Sequence, residues 1–123
     1  MFEVTIEQTF AAGHALRNYR GKCENVHGHN YRCQVTVEGR ELGEIGLLID
    51  FVTLKRTLQT VVDRLDHQWL NDFPPFDVLN PSAENIAKYI YEEVNKGLSI
   101  DGGVKLASVR LWETDTSSAT YRA

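Results

Sequence analysis

Two stretches of alternation constrain this chain more than any other feature. In residues 2–14, Phe2, Val4, Ile6, Phe10, Ala12 and His14 share one parity, and Glu3, Thr5, Glu7 and Thr9 take the other. In the second stretch Tyr31, Cys33, Val35 and Val37 face one way and Arg32, Gln34, Thr36 and Glu38 the other. A period of two is a strand buried on one face, so the apolar faces of both need a cover. Two segments of helical period supply it. Asp50 is placed to N-cap a helix over about 51–65, striped by Leu54, Leu58, Val61, Val62 and Leu65. Asn80 as N-cap and Pro81 at the first helical position open a second helix, with Ile86, Ala87, Ile90, Tyr91 and Val94 on its apolar side and Gly97 near its end.

The segments between them read as connections. GRELGEIG, residues 39–46, is a glycine-rich turn region, and LDHQWLNDFPPFDVLNP breaks helical periodicity in a proline-punctuated loop. After SIDGG the sequence alternates again, with Ala107, Val109, Leu111 and Glu113 on one parity, and a last short strand covers about 117–122. The order strand, strand, helix, helix, strand, strand predicts an α+β layer, a four-stranded antiparallel sheet with both helices packed on one face. At 123 residues the chain is expected to form a single domain over 1–123, large enough to bury a core without disulfides.

Charge and hydropathy narrow the function classes. With 13 Lys and Arg against 17 Asp and Glu, the net charge of −4 argues against a general nucleic-acid or anionic-membrane binder. No apolar run approaches the roughly 18–20 residues of a spanning helix, and MFEVTIEQ lacks the features of a secretory leader, so a cytoplasmic location is expected. The two cysteines, Cys23 and Cys33, do not make a disulfide framework.

The chemistry concentrates in CENVHGHN, residues 23–30. His27 and His29 lie on one face of an extended segment, and His14 ends the inner face of the first strand; paired as a hairpin, the three imidazoles converge as a zinc site with an open fourth position. Alternatively, His-Gly-His is a loop fragment and His14 a core histidine. Cys23 is either a fourth ligand closing a structural site or a free thiol whose pKa a neighbouring metal lowers. Cys33, on an inner face, reads as a small buried hydrophobe. Asp66 and His67 are either a proton-transfer pair or a helix-end turn. Glu113, a carboxylate on an apolar face, either pairs with a basic side chain or awaits a ligand rich in N–H groups. Glu84 falls in the first turn of the second helix, where it favours the dipole. Arg17, Arg20 and Lys22 form a cationic loop suited to solubility or to phosphate.

Taken together, FAAGH, CENVHGHNY, LLIDF, LDHQWLN, NPSAEN and WETDTSSATY resemble, in order over nearly the whole sequence, the pterin synthases related to 6-pyruvoyltetrahydropterin synthase. The three-residue spacer between Cys23 and His27 is similar to that of the bacterial 6-carboxytetrahydropterin branch, whereas the pyruvoyl branch typically has a longer one. The resemblance implies a tunnelling fold (T-fold) assembled as a homohexamer, a dimer of trimers with active sites between subunits. It implies zinc on His14, His27 and His29, catalysis by Cys23 with Asp66 and His67, and a pterin triphosphate substrate held through Glu113, with Glu84 as the weaker candidate for that task. The implied reaction converts 7,8-dihydroneopterin triphosphate to 6-carboxy-5,6,7,8-tetrahydropterin, releasing acetaldehyde and triphosphate, on the way to queuosine. The competing readings are the pyruvoyl synthase and a non-enzymatic domain in which Cys23 closes a structural zinc site.

Overall fold

The computed structural model describes residues 1–18, 27–100 and 102–123. Its strands are β1 (Phe2–His14), β2 (His27–Gly39), β3 (Gln68–Trp69), β4 (Lys105–Thr114) and β5 (Ser117–Tyr121), and its helices are α1 (Phe51–Leu65) and α2 (Ala83–Gly97). The strands form one sheet in the order β3-β1-β2-β4-β5. Both helices pack on the same side of it, α1 against β1 and α2 against β4 and β5. The apolar stripes foreseen for the helices are their buried faces, Leu54, Leu58, Val61, Val62 and Leu65 on α1 and Ile86, Ala87, Ile90, Tyr91 and Val94 on α2.

The α+β architecture follows the sequence reading, with three corrections. Among the described residues the sheet has five strands rather than four: Gln68 and Trp69 run parallel to Ala12 and Gly13 at its edge, and a two-residue strand carries no periodicity to read. In β4 the inner face includes Leu106 instead of Ala107, because a bulge opposite Thr36 and Val37 shifts the register. The second helix begins two residues later than expected, with Ser82 as N-cap accepting from the Asn85 N–H.

Asn80 has another task. Its side chain accepts from the Arg17 N–H at 2.8 Å and donates to the Arg17 carbonyl at 2.9 Å. Asn71 makes the same reciprocal pair with Ala15. Two amide side chains thus replace strand partners for the segment leaving β1, and fasten it to the loop between α1 and α2. Asp50 caps α1 as expected, accepting from the Val52 N–H at 2.8 Å.

A candidate metal centre beside a carboxylate-lined pocket

Cross-strand register builds the centre. β1 and β2 pair with His14 opposite His27 and Ala12 opposite His29, so all three imidazoles project from the same end of the inner sheet face. Their rings meet edge-on, with centroids 4.4 Å apart for His14 and His27, 5.0 Å for His14 and His29, and 4.6 Å for His27 and His29. One ligand atom from each, with a carboxylate oxygen of Glu113, can be chosen so that all four lie within 4.8 Å of one another.

Protonation geometry decides what these atoms can hold. His14 is fully buried, and its Nδ1 lies 2.6 Å from the Pro81 carbonyl oxygen. A carbonyl only accepts, so Nδ1 carries a proton and Nε2 is the nitrogen turned toward Glu113. Glu113 Oε1 stands 3.0 Å from that atom and 3.4 Å from His29 Nε2. Among the described residues neither nitrogen has a hydrogen-bond partner of acceptable direction, so the carboxylate stands beside them without a well-directed bond. Tetrahedral arms of roughly 2.0–2.1 Å place neighbouring ligand atoms about 3.3 Å apart, and the two separations from Glu113 Oε1 lie on either side of that value. Desolvation holds His29 below the ordinary imidazole range despite the opposing charge of Glu113; His14 foremost holds Glu113 below the usual carboxylate range. Three imidazoles around a carboxylate are a donor set that fits a divalent cation such as zinc, with the Pro81 carbonyl orienting His14 from behind.

The other expected residues fall around this centre in different ways. Glu84, in the first turn of α2, lines with Glu113, Ala83, Ser117, Ser118 and Thr120 a pocket of about 410 Å³. Two carboxylates and three hydroxyls suit a ligand edge rich in N–H donors. Asp66 and His67 meet each other, Asp66 Oδ2 lying 3.0 Å from His67 Nδ1. They do not enter the four-residue cluster. Asp66 Oδ1 accepts from the Ala11 N–H at 2.9 Å, and the His67 N–H donates to the Ala11 carbonyl at 2.6 Å, which fastens the end of α1 to β1. His67 takes a left-handed backbone conformation, φ 58°, and its side chain is 82% exposed. With His29, Trp69 and the paired Gly13 and Gly28, it lines an open depression of about 530 Å³ on the β1–β3 edge. A Cβ at Gly13 would stand 3.1 Å from the Trp69 ring, so any larger residue there would push the ring aside.

Arg17 has a structural task. Its guanidinium donates to the carbonyls of Asn71, Phe76 and Leu79, holding the loop that delivers Pro81. Cys23, Arg20 and Lys22 lie outside the described residues. Cys33 is the buried hydrophobe expected, its thiol pushed up to about 12 by burial. Sequence reasoning missed the Pro81 carbonyl, because every residue carries one and only the fold selects which faces a histidine.

An α+β sheet-and-helix fold with a histidine–carboxylate cluster at the end of its central hairpin defines the class of protein, and comparison with known proteins gives its family. Residues 3–123 match the family model described as 6-pyruvoyl tetrahydropterin synthase. The chain is 36% identical over 126 residues to the 6-carboxy-5,6,7,8-tetrahydropterin synthase of Synechocystis sp., covering 98% of this chain and 93% of that one. It is 40% identical over 105 residues to the dihydroneopterin monophosphate aldolase of Pyrococcus furiosus, covering 85% and 83%. Among solved structures, the 6-pyruvoyl tetrahydropterin synthase of Caenorhabditis elegans superposes with a TM-score of 0.85 at 30% identity, covering 100% of this chain and 97% of that one. The chain belongs to the 6-pyruvoyl tetrahydropterin synthase family.

Proposed function

We propose that this protein is a zinc-dependent 6-carboxytetrahydropterin synthase, converting 7,8-dihydroneopterin triphosphate and water to 6-carboxy-5,6,7,8-tetrahydropterin, acetaldehyde and triphosphate in queuosine precursor synthesis. The observation that carries the reading is the cluster of His14, His27, His29 and Glu113 opening beside a pocket walled by Glu84 and Glu113. Similarity over nearly the full chain to a synthase of that name supports the branch.

His14, His27 and His29 hold the metal. Bound there, zinc supplies Lewis acidity toward the hydroxyls of the pterin's substituent, easing loss of the adjacent carbon-bound proton and cleavage of the carbon–carbon bond. Glu84 accepts from the guanidine-like edge of the pterin ring, two parallel N–H donors matching one carboxylate. Glu113 faces both the pocket and the histidine nitrogens, so it contacts the substrate where ring and substituent meet. Its expected role on the ring edge is thereby shared with Glu84. Cys23, four residues before His27, takes the proton from the substrate carbon as a thiolate. His67, with Asp66 fixing its ring through Nδ1, relays a proton on the opposite side. The exposure of this pair, fastened to the open β1–β3 edge, suits its use across a subunit boundary.

A second reading has a specific observation in its favour, the 40% identity to a dihydroneopterin monophosphate aldolase. An aldolase acting on that monophosphate breaks a carbon–carbon bond of the pterin's substituent and has no triphosphate to expel. Incubating the zinc-loaded protein with 7,8-dihydroneopterin triphosphate, and separately with the monophosphate, followed by mass spectrometry, separates the readings. Carboxytetrahydropterin with acetaldehyde supports the synthase; a pyruvoyl product moves the protein to the sister branch. Cleavage of the monophosphate alone makes it an aldolase, and two untouched substrates leave a structural metal domain.

A further inference from the structure

The hydroxyl of Tyr31 is a buried polar group that the proposed reaction leaves unused. Tyr31 is 0% exposed, and its hydroxyl has no hydrogen-bond partner among the described residues. A buried donor left unpaired destabilises a fold. Phenylalanine would stack equally well on Phe10, whose ring lies 5.0 Å away at 15°. The hydroxyl therefore calls for a state in which it is used.

Its surroundings indicate which. The β2–β4 register ends at Arg32 opposite Trp112; Tyr31 and Glu113 are the next residue of each strand, and both meet His14, Glu113 through Oε1 at 3.0 Å and Tyr31 through its ring. The Tyr31 ring meets His14 and His29 edge-on, with centroids 5.9 and 5.6 Å away. A phenol hydroxyl has one proton to donate. Glu113 Oε1 stands 3.0 Å from His14 Nε2 and 3.4 Å from His29 Nε2, and neither nitrogen can donate to it once both hold a metal.

We propose that Tyr31 is the positioning residue of Glu113, its hydroxyl donating to the Glu113 carboxylate when metal and pterin occupy the site. The bond satisfies a stranded donor and fixes the rotamer of a carboxylate that would otherwise swing between pocket and histidines. The inference rests on the proposal that Glu113 contacts the substrate.

A double-mutant cycle tests it. Wild type, Tyr31→Phe, Glu113→Gln and the double variant, all full-length and zinc-loaded, are titrated with 7,8-dihydroneopterin by fluorescence, with the thermal midpoint of each metal-free form recorded in parallel. Tyr31→Phe is expected to weaken binding about tenfold, to leave the metal-free midpoint unchanged or higher, and to add nothing in the Glu113→Gln background. Equal weakening in both backgrounds, or none, overturns the role of Tyr31 while leaving Glu113 where it stands. Unchanged binding by Glu113→Gln alone overturns both. A measurement on wild type avoids any folding defect: with isotope-labelled tyrosine, the Tyr31 Cζ resonance should shift on adding zinc and dihydroneopterin. A resonance that stays in place also overturns the proposal.

Discussion

At the residue scale, the centre divides side chains that hold a metal from those that work beside it. His27 pairs directly with His14 across the hairpin, and a three-imidazole site that loses one arm retains too few ligands for tight binding. His27→Ala is expected to lower zinc content well below one ion per subunit, measured by metal analysis after dialysis against a weak chelator. Cys23→Ala should keep the zinc and lose turnover by at least about a hundredfold, since general acid–base groups contribute on that order. Loss of zinc from that variant would make Cys23 a ligand and return the structural-site reading. The contrast between the two variants separates binding from chemistry at positions four residues apart.

At the element scale, the helix ends carry the tests. Ser82 accepts from the Asn85 N–H at 3.1 Å, so Ser82→Ala should cost about 1 kcal/mol in chemical denaturation of the metal-free protein. The end of α1 is tied to β1 by Asp66, whose carboxyl lies below its usual value of 3.8, chiefly because the Ala11 N–H donates to it and then because of His67. A depressed folded-state pKa stabilises the fold above the unfolded value, and that contribution disappears as pH falls through the folded one. The thermal midpoint of Asp66→Asn should therefore lie below wild type above pH 3.8, and the gap should close in more acid solution. A gap that persists in acid would mean that the tie does not depend on the carboxylate's charge.

At the scale of the whole molecule, the helices cover one face of the sheet and leave its other face and both edges without cover from the described residues. β5 is one edge, and at the other β3 covers only two residues of β1. Among the described residues no helix is long and apolar enough to cross a membrane. Sedimentation equilibrium is expected to give the mass of a homohexamer, and a monomer at micromolar concentration would contradict the intersubunit site. Removing zinc with a chelator should leave far-ultraviolet circular dichroism unchanged, because the core of Leu54, Leu58, Ile86, Ile90, Val35 and Leu111 is buried without help from the metal. Unfolding on chelation would instead mark a structural site.

Much of this was legible in the sequence. Alternation put His14 and His29 on inner faces, helical stripes named the buried faces of α1 and α2, and Asp50 was a cap in sequence and in structure, because these features follow from local period and local hydrogen bonding. What failed was non-local. Asn80 looks like a cap until Arg17 competes for its amide; Ala107 shares the parity of Val109 until a bulge opposite Thr36 and Val37 shifts it. The sequence by itself determined which side chains could bind a metal and which faces had to be buried, since both are properties of residue type and period. Tertiary structure alone decided that Glu113 meets the histidines, that Pro81 fixes the tautomer of His14, and that Asp66 and His67 stand apart on an exposed edge. Those relations join residues distant in sequence, through backbone carbonyls and registers that no local pattern encodes.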